Sequence, residues 1–250
     1  MTTEPQLSDA SFSGPLLVLE QVEQRYGAFR PALVGIDLNV ARGEFIVIAG
    51  PGGCGKSVLL RLLAGLERPA AGRIRIAGED IAGMRPRVRT HLRRSIGILP
   101  PGQCLLERRS VLHNVALAAW VAGAAFDEGV RRAQAALTLV GVEIERYGTM
   151  PCEQLPGGLR HCVALARALV NRPALLLLDD LLAPLDDPSA TRVLSVIDQF
   201  CAAGVTAIAT THAQADGLPP SAGAGEAGRP VQVWPARVRT LQLRDGRFGS

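Results

Sequence analysis

The sequence predicts an α/β fold in which a mainly parallel sheet carries helices on both faces. Three observations predict it. Short apolar runs alternate with stretches of helical periodicity along most of the chain. A buried run, Glu44 to Ala49, ends in a glycine-rich loop that opens a helix. A second buried run, Leu175 to Leu178, ends in Asp179-Asp180, at the edge where open α/β sheets bind ligands.

The elements follow in order. Residues 1–15 are polar and read as a disordered tail, without the basic start and apolar run of a secretory leader. Leu16 to Val22 and Val34 to Val40 read as strands. Ser57 to Leu66 has helical periodicity, and Arg73 to Ala77 alternates as a short strand. His91 to Arg94 closes a basic helix, and Ser95 to Leu99 is a strand. From about 103 to 160 the chain turns helical, with helices over Val111 to Ala122 and Asp127 to Val140. Asp127 is the expected N-cap of the second, and Gly141 its stop. Another helix begins near Gly157. Helix Ser189 to Ala203 and strand Val205 to Thr210 come next. Ala213 to Pro235, rich in Ala, Gly and Pro, reads as a long loop or weak helix. Arg237 to Leu243 and Arg247 to Phe248 form a hairpin around Asp245-Gly246.

Composition narrows the class. The chain has 250 residues, 48% of them hydrophobic and 20% charged, enough for a sizeable core and unlike a disordered or collagenous chain. Five scattered cysteines without C-x-x-C spacing argue against a disulfide framework or zinc site and fit a reducing compartment. The most apolar helical stretch, Val115 to Phe126, is about half a membrane span and reads as core or interface. The run Arg85 to Arg94 reads as a solvated helix face with weak attraction to anionic membrane. It lacks the interleaved aromatics of a nucleic-acid site. Of the 27 basic residues 26 are arginine, and Lys56 is the lysine.

That lysine lies in Gly50-Pro51-Gly52-Gly53-Cys54-Gly55-Lys56-Ser57, which fits G-x-x-x-x-G-K-[ST] between a buried strand and a helix. The glycines let backbone N–H groups curl around phosphate oxygens, and the helix N-terminus adds its dipole. Lys56 would reach the β- and γ-phosphates, where a compact ammonium suits better than a guanidinium, and Ser57 would hold Mg²⁺. Gly50, Gly52 and Gly55 also satisfy the dinucleotide pattern G-x-G-x-x-G, but that pattern leaves Lys56-Ser57 unexplained. Of the paired carboxylates, Asp179 would hold Mg²⁺ through water and Asp180 would orient or deprotonate an attacking water. His212, ending the run AIATTH at the same sheet edge, would contact the γ-phosphate.

In this order, the motifs resemble those of ATP-binding-cassette ATPases over about residues 16–212 plus the closing strands. Gln154-Leu155-Pro156-Gly157-Gly158 stands where that family carries its L-S-G-G signature. Ala164-Leu165-Ala166-Arg167-Ala168 and Ala183-Pro184-Leu185-Asp186 continue the match, the latter as the D-loop. Stretches such as Leu92-Arg93-Arg94, Asn114-Val115-Ala116 and Leu185-Asp186-Asp187 are most similar to the cell-division FtsE type. The lipoprotein-releasing and macrolide-exporter ATPases come next. The resemblance implies a P-loop NTPase (RecA-like) parallel sheet with an N-terminal antiparallel β subdomain. It places a helical subdomain at 103–160, inserted between core segments 16–102 and 161–250. It implies ATP and Mg²⁺ as ligands, with Tyr26 stacking on adenine. It makes Gly50, Pro51, Gly52, Gly53, Cys54, Gly55, Lys56, Ser57, Val58, Gly157, Gly158 and Asp186 nucleotide contacts. It implies a head-to-tail homodimer in which one chain's signature completes the other's site. It further implies an FtsX-like membrane permease partner, no nucleic acid, and a peripheral place on the cytoplasmic face of the bacterial inner membrane.

Four positions depart from the family pattern. The glutamine expected after strand Ser95 to Leu99 falls at Pro101, and Gln103 comes two residues late. The signature serine is Pro156, without hydroxyl or N–H. The catalytic glutamate is Asp180, shorter by one carbon–carbon bond, roughly 1.5 Å. Val58 replaces a hydroxyl residue. These losses fall on closure and hydrolysis rather than on binding, so a Mg-ATP binder with slow turnover is expected.

Overall fold

A computed structural model describes residues 14–27, 30–212 and 234–249. The core is a six-stranded sheet ordered β10-β9-β3-β8-β7-β6. Its strands are β3 (Phe45–Ala49), β6 (Ile96–Leu99), β7 (Leu175–Leu178), β8 (Thr206–Thr211), β9 (Val238–Arg244) and β10 (Arg247–Phe248). All neighbours pair parallel except β9 and β10, the expected hairpin. Asp245 and Gly246 both take positive φ, as a tight hairpin turn requires. A second, antiparallel sheet is ordered β2-β1-β4-β5 and comprises β1 (Leu17–Gln24), β2 (Leu33–Val40), β4 (Ala71–Ile76) and β5 (Glu79–Asp80).

Period-2 alternation explains why β3 and β7 are apolar throughout. Phe45, Val47 and Ala49 face one core with Leu176, Leu178, Ala207 and Ala209. Ile46 and Ile48 face the other with Leu175, Leu177 and Ile208. Both faces of the parallel sheet are covered, so both sets of side chains are mostly apolar; the buried hydroxyls of Thr206 and Thr210 on β8 are hydrogen-bonded. The first core packs against the helices of the middle section, and the second against α1 (Lys56–Leu63) and the antiparallel sheet.

Helices α2 (Pro86–Arg94), α3 (Val111–Val121), α4 (Phe126–Leu139), α5 (Ile144–Tyr147), α6 (Gly157–Leu169) and α7 (Asp187–Ala202) complete the chain. Two expectations need correction, and two short elements were not anticipated. Asp127 is not a cap: α4 begins one residue earlier, after Ala125, and Asp127 lies in its first turn, where its charge suits the helix dipole. Helix α7 begins before Ser189, because the Asp186 carboxylate accepts from Ser189 N–H at 3.1 Å and caps it. Helix α5 and the short strand β5 carry too few residues to show a period. The tail through residue 13 and most of the Ala213 to Pro235 segment lie outside the described residues. Trp234, at that segment's end, packs edge-on against Phe45. Among the described residues no helix is long and apolar enough to cross a membrane.

Asn114 on α3 ties the middle section together. Its amide accepts from Leu106 N–H at 2.7 Å and donates to the carbonyls of Leu106, Arg109 and Ser110. Asn114→Ala leaves those groups without their partner. The unfolding free energy, read by urea titration, is expected to fall by about 1–3 kcal/mol.

Four cysteines are buried and Cys104 is exposed. Burial pushes the thiols of Cys162 and Cys201 up to about 11 and raises that of Cys152. A raised folded value favours the folded chain below the ordinary thiol range and loses that effect as pH climbs through it. At pH 8, a thiol-titrating disulfide reagent should therefore modify Cys104 quickly. Cys152, Cys162 and Cys201 should react only once denaturant is added.

Candidate functional site

The sheet order brings the predicted residues together. Strands β3, β8, β7 and β6 are neighbours and run parallel, so their C-terminal ends share one edge. Along that edge lie the loop 50–57, His212, the pair Asp179-Asp180 and the turn 100–103, in that order.

The loop is shaped by close approach. A Cβ at Gly50 would run into the Leu243 carbonyl oxygen, and one at Gly55 into that of Ala32. Gly55 also takes φ 109°, which favours glycine, immediately before α1. The closing hairpin braces the loop from outside, with Gly246 N–H donating to Cys54 O at 3.2 Å. Inside, the buried Lys56 ammonium donates to Gly50 O at 2.7 Å and Pro51 O at 2.9 Å. Two main-chain carbonyls thus hold a cation inside a glycine-rich loop at a helix N-terminus, an arrangement suited to an anionic ligand with several oxygens. Ser57 follows in the first turn of α1. A cavity of about 570 Å³ opens beside the loop, walled by Gly50, Gly53, Cys54, Ala32, Arg244 and Asp245.

Asp179 is 5% exposed. Its Oδ1 accepts from Thr210 Oγ1 at 2.6 Å, and its N–H donates to Leu99 O. Its Oδ2 is buried without a hydrogen-bond partner. An orphaned carboxylate oxygen inside a fold is costly unless a cation or donor reaches it. One carboxylate and one hydroxyl, Asp179 and Ser57, suit Mg²⁺, which keeps several waters and uses few protein ligands alongside phosphates. Among the described residues no cluster of three or more His, Cys, Asp and Glu side chains forms a closed metal site.

Asp180 stands at φ 53°, with its carboxylate 3.9 Å from His212 Nε2. His212 follows the end of β8 and is exposed. Asp179, Asp180, Gln103, His161, Pro100 and Pro184 line a second cavity, of about 290 Å³. Gln103, two residues late in sequence, therefore reaches the carboxylate cleft. Gly102, Gln103 and Cys104 all take positive φ, and Arg167 clamps the turn by donating to the carbonyls of Gln103 at 2.7 Å and Cys104 at 2.8 Å.

The remaining candidates lie apart from these two cavities. Tyr26 is 41% exposed, and its hydroxyl joins Glu67 and Arg61. Burial would raise the Glu67 carboxyl, but bonds from Tyr26 and Arg61 hold it below its ordinary value. Pro156 takes the N-cap position of α6, which frees the N–H groups of Gly157 and Gly158 at the helix start. Asp186 is committed to capping α7, and the bond from Ser189 holds its carboxyl below the usual range. Val58 lies within α1 and packs against the second core.

Sequence reasoning missed Thr210, His161 and Arg167 as parts of the site. Thr210 Oγ1 bridges the two carboxylate residues, accepting from Asp180 N–H at 2.9 Å while donating to Asp179. The sequence gives no signal that separates it from Thr206 and Thr211, the other hydroxyls of the same strand.

Comparisons with known proteins agree with this geometry. Residues 33–183 match the family described as ABC transporter. The chain is 39% identical over 197 residues to the cell division ATP-binding protein FtsE of Escherichia coli K12, covering 79% of this chain and 88% of that protein. It is 40% identical over 222 residues to the methionine import ATP-binding protein MetN of Rhizobium etli, 86% of this chain and 61% of that protein. Among solved structures, the dimeric ATP-binding cassette MJ0796, in a post-hydrolysis state bound to ADP and phosphate, superposes with a TM-score of 0.81 at 26% identity. That superposition covers 94% of this chain and 97% of the other. The cbiO1 subunit of a Clostridium perfringens ABC transporter complex superposes with a TM-score of 0.75 at 27% identity, over 95% and 88%. Family match, identity and superposition converge, and the chain belongs to the ABC transporter family as one of its ATP-binding cassettes.

Proposed function

We propose that this chain is the ATP-binding subunit of an FtsE-like complex at the cytoplasmic face of the inner membrane. It binds Mg-ATP, hydrolyses it slowly and drives an FtsX-like permease in cell division. The observation that carries the nucleotide reading is the buried ammonium of Lys56, held by Gly50 O and Pro51 O within the glycine-rich loop. The identity to FtsE over most of both chains supports the cell-division assignment.

The residues divide the work as follows. Main-chain N–H groups from Gly52 to Ser57 receive phosphate oxygens, and Lys56 exchanges its two carbonyls for the β- and γ-phosphates. The α-phosphate end of the loop lies beside Val58, which offers no hydroxyl. Tyr26 presents its exposed ring to adenine. Ser57, and Asp179 through water, would hold Mg²⁺, which would neutralise phosphate charge. Asp180 orients water and takes its proton, and His212, beside it, contacts the γ-phosphate. Gly157 and Gly158 of a second copy donate N–H groups to complete a head-to-tail dimer. Asp186 shapes the turn between Asp180 and α7. Residues 103–160 form the helical subdomain that meets the permease.

Slow turnover follows from three positions. The Asp180 carboxylate is about 1.5 Å short of a glutamate's reach, and misplacement of this order costs on the order of 10²-fold in rate. Pro101 supplies no ligand, and Pro156 no hydroxyl. The same positions favour a second reading, a scaffold that clamps the permease and needs no turnover. That scaffold is either ATP-dependent or indifferent to nucleotide: a Lys56→Ala chain that still supports division shows that nucleotide chemistry is dispensable, and one that fails shows that nucleotide is required. Co-purification of the membrane subunit separates division from import or lipoprotein release, since import ATPases match at similar identity.

Two outcomes are expected with the purified chain. Lys56→Ala loses binding of a fluorescent ATP analogue by roughly 10²-fold or more, read by anisotropy, because the loop keeps its amides but not its cation. Asp180→Glu raises steady-state phosphate release by about ten- to hundredfold. An unchanged rate would show that Asp180 is not limiting.

A further inference from the structure

Asp180 holds a left-handed backbone, at φ 53°. A non-glycine residue stays there only when its surroundings over-determine it. Three hydrogen bonds do so. Asp180 N–H donates to Thr210 Oγ1 at 2.9 Å, and Leu181 N–H donates to Thr210 O at 3.3 Å. From the opposite side, His161 Nε2 lies 2.7 Å from Leu181 O. A carbonyl oxygen only accepts, so this nitrogen carries the proton. The ring is 3% exposed, and burial disfavours its charged form despite the Leu181 carbonyl and the nearby Asp180. A neutral, buried imidazole with a fixed tautomer is thus fastened to the turn that presents Asp180.

His161 comes from α6, four residues after Gly157 and about one helical turn from the first-turn N–H groups of Gly157 and Gly158. The same helix is braced against the other wall of the cleft. Arg160 forms a two-pronged pair with Glu107 and donates to Cys152 O at 3.0 Å, and Arg167 holds the Gln103 and Cys104 carbonyls. Helix α6 therefore contacts the Asp180 turn through His161 near its start and the 103–104 turn through Arg167 in its last turn. His161 is its link to the carboxylate.

We propose that His161 is a positioning residue that couples the start of α6 to Asp180. The inference rests on the reading that Asp180 serves hydrolysis and that Gly157-Gly158 closes the site of a second copy. On that reading α6 belongs to the partner's nucleotide and Asp180 to the chain's own. His161 then makes the presentation of Asp180 in one site depend on how α6 is engaged in the other.

The test compares full-length wild type with His161→Ala, His161→Gln and Asp180→Asn. Three quantities are read: affinity for a fluorescent ATP analogue with Mg²⁺, kcat and KM for ATP, and the His212 ring signals in ¹H–¹³C NMR spectra. His161→Ala should keep analogue affinity and KM within about twofold while kcat falls on the order of tenfold. Its His212 signals should move toward those of Asp180→Asn, because His212 faces the Asp180 carboxylate. His161→Gln, whose amide can donate to the same carbonyl, should recover both kcat and the His212 signals. If His161→Ala does not fold, His161→Leu fills the space without a donor and is compared with His161→Gln in its place. Unchanged kcat and His212 signals in the donor-less variant overturn the proposal, as does His161→Gln behaving like that variant. A wild-type chain that fails to bind the analogue overturns the nucleotide reading instead. The His212 signals still decide whether His161 holds the Asp180 turn, even where turnover is too slow to measure.

Discussion

Parallel register is the constraint on which the candidate site depends. Ile48 pairs with Thr210, and Leu178 with Ala209, so the ends of β3, β7 and β8 finish within a residue or two of one another. Three segments remote in sequence then deliver Lys56, Asp179 and His212 to one edge. A one-residue slip would exchange every side chain between the two cores, placing Ile46 and Ile48 where Phe45 and Val47 belong. Both faces are buried and their side chains differ in size, so the register is strongly held. The hydrophobic pattern that makes the sheet is thereby the pattern that aims the polar groups.

Much of this was legible because it depends on local rules. The loop 50–57 announces itself through glycine spacing, and the order of strands and helices follows from alternating periods. The hairpin at Asp245-Gly246 rests on turn chemistry that a dipeptide can carry. What was not legible depends on neighbours that only the fold supplies. Nothing near Thr210 in sequence marks it as the bridge between two aspartates thirty residues upstream. Arg167 looks like an ordinary helix residue until its guanidinium meets two carbonyls from a distant turn. The cap of α4 failed for another reason: Asp127 is a good cap by type, but the apolar Phe126 enters the helix first and stacks on Trp120.

The departures from the family pattern do not all survive in three dimensions as they look in sequence. Gln103 is displaced by two positions, yet three consecutive left-handed residues fold the turn back so that it lines the carboxylate cleft. Pro156 lacks a hydroxyl, yet a proline next to the start of α6 disturbs no helical bond and leaves the glycine N–H groups open. Both changes cost specific contacts and leave the geometry of the edge intact. The substitution at Asp180 differs, because there a shorter side chain stands on a left-handed backbone.

Left-handed backbone is tolerated more readily by Asp and Asn than by longer side chains, since their short polar groups bond locally. A turn that requires φ 53° at residue 180 therefore favours aspartate over glutamate for folding, while reach toward a bound phosphate favours glutamate. Strain of this kind costs about 1–3 kcal/mol, and each hydrogen bond from Thr210 or His161 offsets about 1 kcal/mol. With all three bonds in place, the strained turn sits close to balance. The position of the carboxylate then depends on whether the His161 contact is made, and that contact is carried by the helix that also carries the glycine pair. Aspartate at 180 thus fits a chain in which turnover is subordinate to the engagement of α6.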